Sequence, residues 1–333
     1  ITLLDDLDFS DSALTLPFGV SSDGSCVSYT GVFEGNGHTI KGLVMNNKDN
    51  QDYKNAGLFC GLEGATFGNL VIDSSCSFTG NFTAALSVSL TGSLTATNVT
   101  NKADVKGNDG AGGFIGMIEG LNQRVEVAFK DCMNYGKITG WGVLGGFVGN
   151  VRVGKDSTMT FSGSINNGNL TRSVDYVGGF VGFIGSNDNM AITISNCTNN
   201  GICTGQGCTG GFIGFFGDNN DATINISNSV NNGPITGTDI GAGGFFCSIA
   251  FNNGLNMTIS NSMNTGEIFG KKYVGGFVCA IGTYSNSHLN KIDIINSANK
   301  GNVSAGKGLA CGMFCVDPRY PQNLNTTVLN SIN

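Results

Sequence analysis

The chain is organised by a spacing of about 33 residues, and few folds can satisfy that constraint. Gly-Gly-Phe recurs with its phenylalanine at Phe114, Phe147, Phe180, Phe212, Phe245 and Phe277, in steps of 33, 33, 32, 33 and 32. A second marker is the asparagine of "MNYG", "INNG", "TNNG", "VNNG", "MNTG" and "ANKG". It falls at Asn134, Asn166, Asn199, Asn231, Asn264 and Asn299, with Asn101 as an earlier member. Four positions after each comes a core-type residue: Val105, Ile138, Leu170, Cys203, Ile235, Ile268 and Val303. Looser copies precede these, around Leu58 in "AGLFCG" and Leu86 in "TAALSV".

The local pattern within each repeat chooses among repeat architectures. Before each asparagine lies an alternating run, such as "VEVAF", "ITI", "INI" or "IDI", and alternation at period two means strand. The inward candidates are Val127/Phe129, Met159/Phe161, Ile192/Ile194, Ile224/Ile226, Met257/Ile259 and Ile292/Ile294. No stretch has helical spacing. Each unit reads as three short strands joined by turns of Gly, Asn and Ser. One unit cannot bury its apolar side alone, whereas stacked units share a continuous core. A parallel β-solenoid with about 4.8 Å between coils follows.

Composition agrees with stacking. Charged residues are 12% of the chain, about half the usual globular share. Stacking explains the deficit, because an unpaired charge repeated in every coil would repel its own copies. Hydrophobic residues at 40% are too many for a disordered Gly-rich chain. A net charge of -7 leaves no basic stripe for phosphates, so nucleic acid is not an expected partner. No apolar run reaches the length of a membrane span, so no direct membrane insertion is expected of this segment. The opening "ITLLDDLDFS" has no initiator methionine and reads as a piece of a longer polypeptide.

The stretch "ISNCTNNGICTGQGCTGGFIG", Ile194 to Gly214, resembles the GLUG-type repeat of bacterial and protist surface proteins. The turn cysteine of that pattern stands at Cys132 and Cys197, with Ser164, Ser229, Ser262 and Ser297 in its place elsewhere. The Gly-apolar-apolar-Gly element is plainest at Gly145 to Gly149, Gly178 to Gly182 and Gly210 to Gly214. The head segment Tyr29 to Leu43 is similar to the start of such domains in adhesins and near immunoglobulin A metallopeptidases. The resemblance covers about residues 29 to 316 and implies a right-handed β-helix displayed outside the cell. It brings no peptidase chemistry, since no HExxH element is present.

Candidate catalytic groups are sparse. His38 and His288 are the only histidines, and a catalytic base needs a partner beside it. Asp104, Asp131, Asp175, Glu267 and Asp293 fall at different coil positions and build no carboxylate pair. Asp5, Asp6 and Asp8 read as polar cover for one end. No catalytic residue and no metal ligand is assigned. Calcium is the one cofactor that Asp188, Asp218 and Asp221 would suit, but the following loops lose the carboxylates. Eleven cysteines leave at least one unpaired. Cys60, Cys247, Cys279 and Cys315 share a coil position with Gly116, Gly149, Gly182 and Gly214, which predicts a confined inward site for small side chains. Cys203 replaces a core Ile or Val, and its pairing with Cys208 is left open.

Two sets of residues are candidates for contact with the outside. Among the N-x-Ser/Thr sequons, Asn169, Asn225, Asn256 and Asn302 are predicted outward, with Asn81 and Asn325 as further glycosylation candidates. Asn98 and Asn196 sit at the turn ladder, where a glycan would be hard to place. If Phe180 and Gly182 face inward, strict alternation turns Val181 and Phe183 out. The same parity exposes Ile115, Val148, Ile213, Phe215, Phe246 and Val278, an apolar interaction strip.

The sequence therefore predicts an all-β fold, a single right-handed parallel β-helix of about nine coils of roughly 28–36 residues. Residues 1–55 form the N-terminal end and first coils, 56–316 the repeated coils, and 317–333 a C-terminal tail or linker. The expected function is that of a non-enzymatic, extracellular cell-surface adhesin or stalk binding through its faces. Partners would be copies of itself, other surface proteins or glycans. The alternative is a subunit of an extracellular filament, with a carbohydrate-active enzyme as a third reading.

Overall fold

The structure, a computed structural model, describes residues 1–333 except 13, 52, 121–122, 186–187, 284–288, 316–323 and 333. It is all-β, a parallel β-solenoid of about nine turns. His288 lies outside the described residues. Among the described residues no helix is long and apolar enough to cross a membrane.

Each turn contributes strands to three faces. In one turn the first face holds Ala191–Ser195 and Thr198–Asn199, the second Cys203–Gly205 and Cys208–Gly210, and the third Ile213–Gly217. Every one of these strands pairs in parallel with its counterpart about 33 residues on, as Ile192 with Ile224 and Cys203 with Ile235. The predicted inward residues line the core: Phe129, Phe161, Ile194, Ile226, Ile259 and Ile294 form one unbroken column of buried side chains. Leu58 and Leu86, the looser copies, are buried as well.

The Gly-Gly-Phe phenylalanines stack directly. Phe147 and Phe180 lie 4.7 Å apart with planes 6° from parallel, and Phe180 and Phe212 are 4.9 Å apart. That separation is the strand spacing itself, so backbone ladders and ring stacking reinforce one register.

The corner between the two strands of the first face needs a left-handed residue in every turn. Asn69, Asn98, Asp131, Asn196, Asn228, Asn261 and Asn296 all have φ between 47° and 53°, and Gly163 takes the place at 60°. Asn and Asp tolerate this region better than other residues with a Cβ, which accounts for the recurrent Asn before Cys or Ser.

The C-terminal segment differs from the expected tail. Leu324–Leu329 is a further strand of the first face, in register with Asn290–Ile295 over six residue pairs. Ile332 bridges to Ala298 beyond it. Thr326 and Val328 continue the columns of Ile292 and Ile294, so alternation survives where the Gly-Gly-Phe marker has been lost.

Candidate functional site

The asparagine ladder is a buried chain of amides. Asn101 donates through Nδ2 to Oδ1 of Asn134 at 2.9 Å, and Asn134 to Asn166, Asn166 to Asn199 and Asn199 to Asn231 at 2.8 Å each. Asn231 donates to Asn264, and Asn264 to Asn299, at 2.7 Å. The second Nδ2 hydrogen reaches the carbonyl two residues on in the same turn, as from Asn199 to Gly201 at 3.2 Å. Both glycine markers follow from this ladder. A Cβ on Gly179 would lie 2.6 Å from Oδ1 of Asn199, and one on Gly201 would meet the Gly168 carbonyl and Nδ2 of Asn166. The ladder is structural, with every member buried.

The apolar strip is corrected by the structure. Ile115, Val148, Val181, Ile213, Phe246 and Val278 are core residues with 0% exposure. The cause is a backbone bulge. The amides of Phe180 and Val181 both donate to the Phe212 carbonyl, and those of Phe212 and Ile213 both to Phe245. Two residues then oppose one, so Val181 turns inward and Gly182 outward, and the original parity returns with Phe183 outside and Ile184 in the core. Phe183 and Phe215 do lie on the outer side, but with Tyr176 they form a local aromatic cluster rather than a ribbon. Phe183 stacks on Phe215 at 5.2 Å, Tyr176 packs on Phe215 at 4.7 Å, and the Arg152 guanidinium sits 5.7 Å from the Phe183 centroid. Tyr176 carried no repeat signal and went unpredicted.

The same inversion moves the cysteine row. Cys247 and Cys279 are fully buried, yet with Cys208 they form a cluster separate from the main core. This site is as confined as expected but outward, in a concave seam between the second and third faces. A Cβ on Gly182 there would run into Val143 and the Leu144 carbonyl. The row carries a disulfide at each end of the rod, Cys26–Cys60 and Cys311–Cys315. The remaining seven cysteines are free and buried, Cys203 and Cys208 among them. Burial pushes the thiol of Cys132 up to about 11 and those of Cys197 and Cys203 to about 12, which keeps them protonated and unreactive at neutral pH.

The sequon asparagines separate by backbone. Asn169, Asn225, Asn256, Asn302 and Asn325 are exposed, and Asn81 is half-buried. Asn98 and Asn196 are exposed but held at φ 53°, and Nδ2 of Asn98 donates to Asn69. Asn225 shares the first face with a continuous outer column of Thr66, Thr95, Ala128, Thr160, Thr193 and Thr258. Flanking Ser162, Ser195, Ser227 and Ser260 complete a flat surface of small hydroxyl and amide groups.

The titratable groups converge little. Asp188 is matched by Asn220 and Asp221 by Asn189, so the two carboxylates considered for calcium do not stack on one another. Asp188 is held below its ordinary range by the Asn220 amide and Lys155. His38 does acquire an acidic neighbour, Asp6, 3.6 Å from Nδ1. With Asp5 these form the one close set of potential metal donors among the described residues, the two carboxylates exposed and His38 half-buried. The Thr39 amide and Lys41 already hold Asp6 below its usual range. No family model, curated protein or solved structure matches this chain.

Proposed function

We propose that the chain is the rod of an extracellular surface protein, kin to the GLUG-type repeats, that engages partners along its first face. The observation that carries this reading is the outer column of Thr and Asn side chains, broken by Ala128 alone, in register from Thr66 to Thr258 with no charge in the column until Asp293. Such a surface offers hydrogen-bond donors and acceptors at fixed spacing, which suits glycan hydroxyls or the polar surface of another protein. Two disulfides support an oxidising compartment. The exposed sequons at Asn169, Asn225, Asn256 and Asn302 fit a eukaryotic secretory route, with glycans there and none at Asn98 or Asn196. An occupied Asn225 would leave the contact to the coils before it. The reading is non-enzymatic and assigns no cofactor.

The test is a glycan and surface-protein array probed with the secreted monomer, beside its Thr160→Lys and Thr193→Lys variants. Binding lost in both variants, with unfolding midpoints unchanged, supports the proposal. No binding, or binding that ignores both variants, contradicts it.

A further inference from the structure

The second face carries a residue that the repeat does not account for. Trp141, the single tryptophan of the chain, is 58% exposed at the corner that follows Ile138–Gly140. Its carbonyl accepts from the Val174 amide at 2.8 Å, which fixes the backbone beneath the indole. Strand alternation sets its neighbours. Lys137, Thr139 and Trp141 lie along one outer line, with Ile138 and Gly140 buried between them. Successive members are two residues apart, or about 6.6 Å at the rise of a strand. Lys106 of the preceding turn pairs in register with Thr139.

These four side chains and Gly140 line a depression of ≈ 290 Å³. A second depression, of ≈ 230 Å³, shares Lys106, Lys137 and Thr139 and runs on to Ser77, Thr79 and Asp104, so the two make one groove across three turns. Among the described residues neither ammonium has a carboxylate within ion-pair distance. The Lys137 amide, not its ammonium, donates to the Asp104 carboxylate, at 3.0 Å. Two uncompensated positive charges on neighbouring turns repel each other, and an anion placed between them relieves that repulsion.

We infer that this groove binds an acidic saccharide, a sugar ring that carries a carboxylate or a sulfate group. The C–H side of the ring lies on the Trp141 indole, whose π face is negative. Lys106 and Lys137 donate charge-assisted hydrogen bonds to the acid group, and the Thr139 hydroxyl donates to or accepts from a ring hydroxyl. A neutral sugar leaves both ammonium groups unanswered, and a compact anion leaves the indole bare. The combination therefore selects a ligand that is ring and anion at once. This site lies on the second face and stands apart from whatever the first face binds.

Because Trp141 is the only tryptophan, its fluorescence reports occupancy of this groove. Titration of the 333-residue chain with trigalacturonate and with a chondroitin sulfate tetrasaccharide should give a saturable emission change with at least one of them. The one that responds identifies the acid group as carboxylate or sulfate. Its affinity should be at least tenfold tighter than that of maltotriose or tripolyphosphate, and should weaken as salt is raised. K106Q/K137Q should weaken binding at least tenfold in the same assay, and W141A should do so by calorimetry. Thr193→Lys, on the first face, should leave it unchanged, which separates this site from the surface proposed above. Circular dichroism melts matching the unmodified chain establish that these exposed substitutions leave the fold intact. Maltotriose binding as tightly would reduce the groove to an aromatic platform, and tripolyphosphate binding as tightly would reduce it to bare charge. Either result would overturn the inference, as would no saturable change with both acidic sugars, or binding indifferent to the lysines or to the indole.

Discussion

Phe180→Ala should destabilise the rod by about 3–5 kcal/mol, the range for removing a buried aromatic ring without refilling its space. Phe180 lies between Phe147 at 4.7 Å and Phe212 at 4.9 Å, with Phe161 edge-on at 5.3 Å. Gly178 and Gly179 precede it, so no neighbouring side chain in the turn can swing in. A cavity there interrupts the ring stack and breaks contact with the turn on either side. Phe269→Ala supplies the comparison: that ring is 44% exposed on the outer side of the second face, and its loss should cost no more than about 0.5 kcal/mol. Denaturant midpoints of the two variants read the difference. Equal effects would mean that the phenylalanine column is not the core.

Asn199→Asp should cost a similar amount at neutral pH, about 3–5 kcal/mol, and much less in acid. The native amide accepts from Asn166 and donates to Asn231 and the Gly201 carbonyl. A carboxylate can still accept from Asn166, but it faces two oxygens with no proton to offer, inside a site with 0% exposure. Burial and these acceptors both favour the protonated form, so the introduced carboxyl has a folded-state pKa raised above its unfolded value of about 3.9. With a raised folded pKa, stability is fully present below the unfolded value and is lost as pH rises through the folded one. The gap in Tm between the variant and the unmodified chain should therefore be small near pH 4 and largest at pH 7–8. Asn199→Ala, which also breaks the ladder, should show a gap that does not change over that range. A pH-independent gap for the aspartate variant would place the side chain in water.

The repeat, the stacked phenylalanines, the amide ladder and the inward strand positions were legible because each depends on side-chain type at a fixed period. The outward strip was not. Its error lies at one backbone event, the shared acceptor of Phe180 and Val181, which no residue type announces and which inverts the next two positions before the original parity returns at Phe183. The cysteine row was read as confined because glycine alternates with cysteine there, and as inward because of the same parity. Leu324–Leu329 escaped because no Gly-Gly-Phe triplet precedes it, although Asn330 and Ser331 repeat the Asn-Ser corner, with Asn330 at φ 49° and the Ser331 hydroxyl oxygen accepting from the Ser297 amide. Phe183 and Phe215 of the Tyr176 cluster have no aromatic counterpart in the turns on either side, where Asn150 and Ser248 stand, and averaging over the repeats hides such a feature. For the first face, the outward parity of Asn225 and Asn256 was readable from Ile224, Ile226, Met257 and Ile259, all buried.

Pulsed electron–electron distance measurement between spin labels on one outer column tests the stacked architecture most directly. Thr66, Thr193, Asn225 and Thr327 are exposed members of that column, separated by known numbers of turns. Labels paired from Thr66 should lie at about 19 Å for Thr193, about 24 Å for Asn225 and about 38 Å for Thr327, at about 4.8 Å per turn. Distances that fail to rise in proportion to the number of intervening turns would show that these residues do not share a rod.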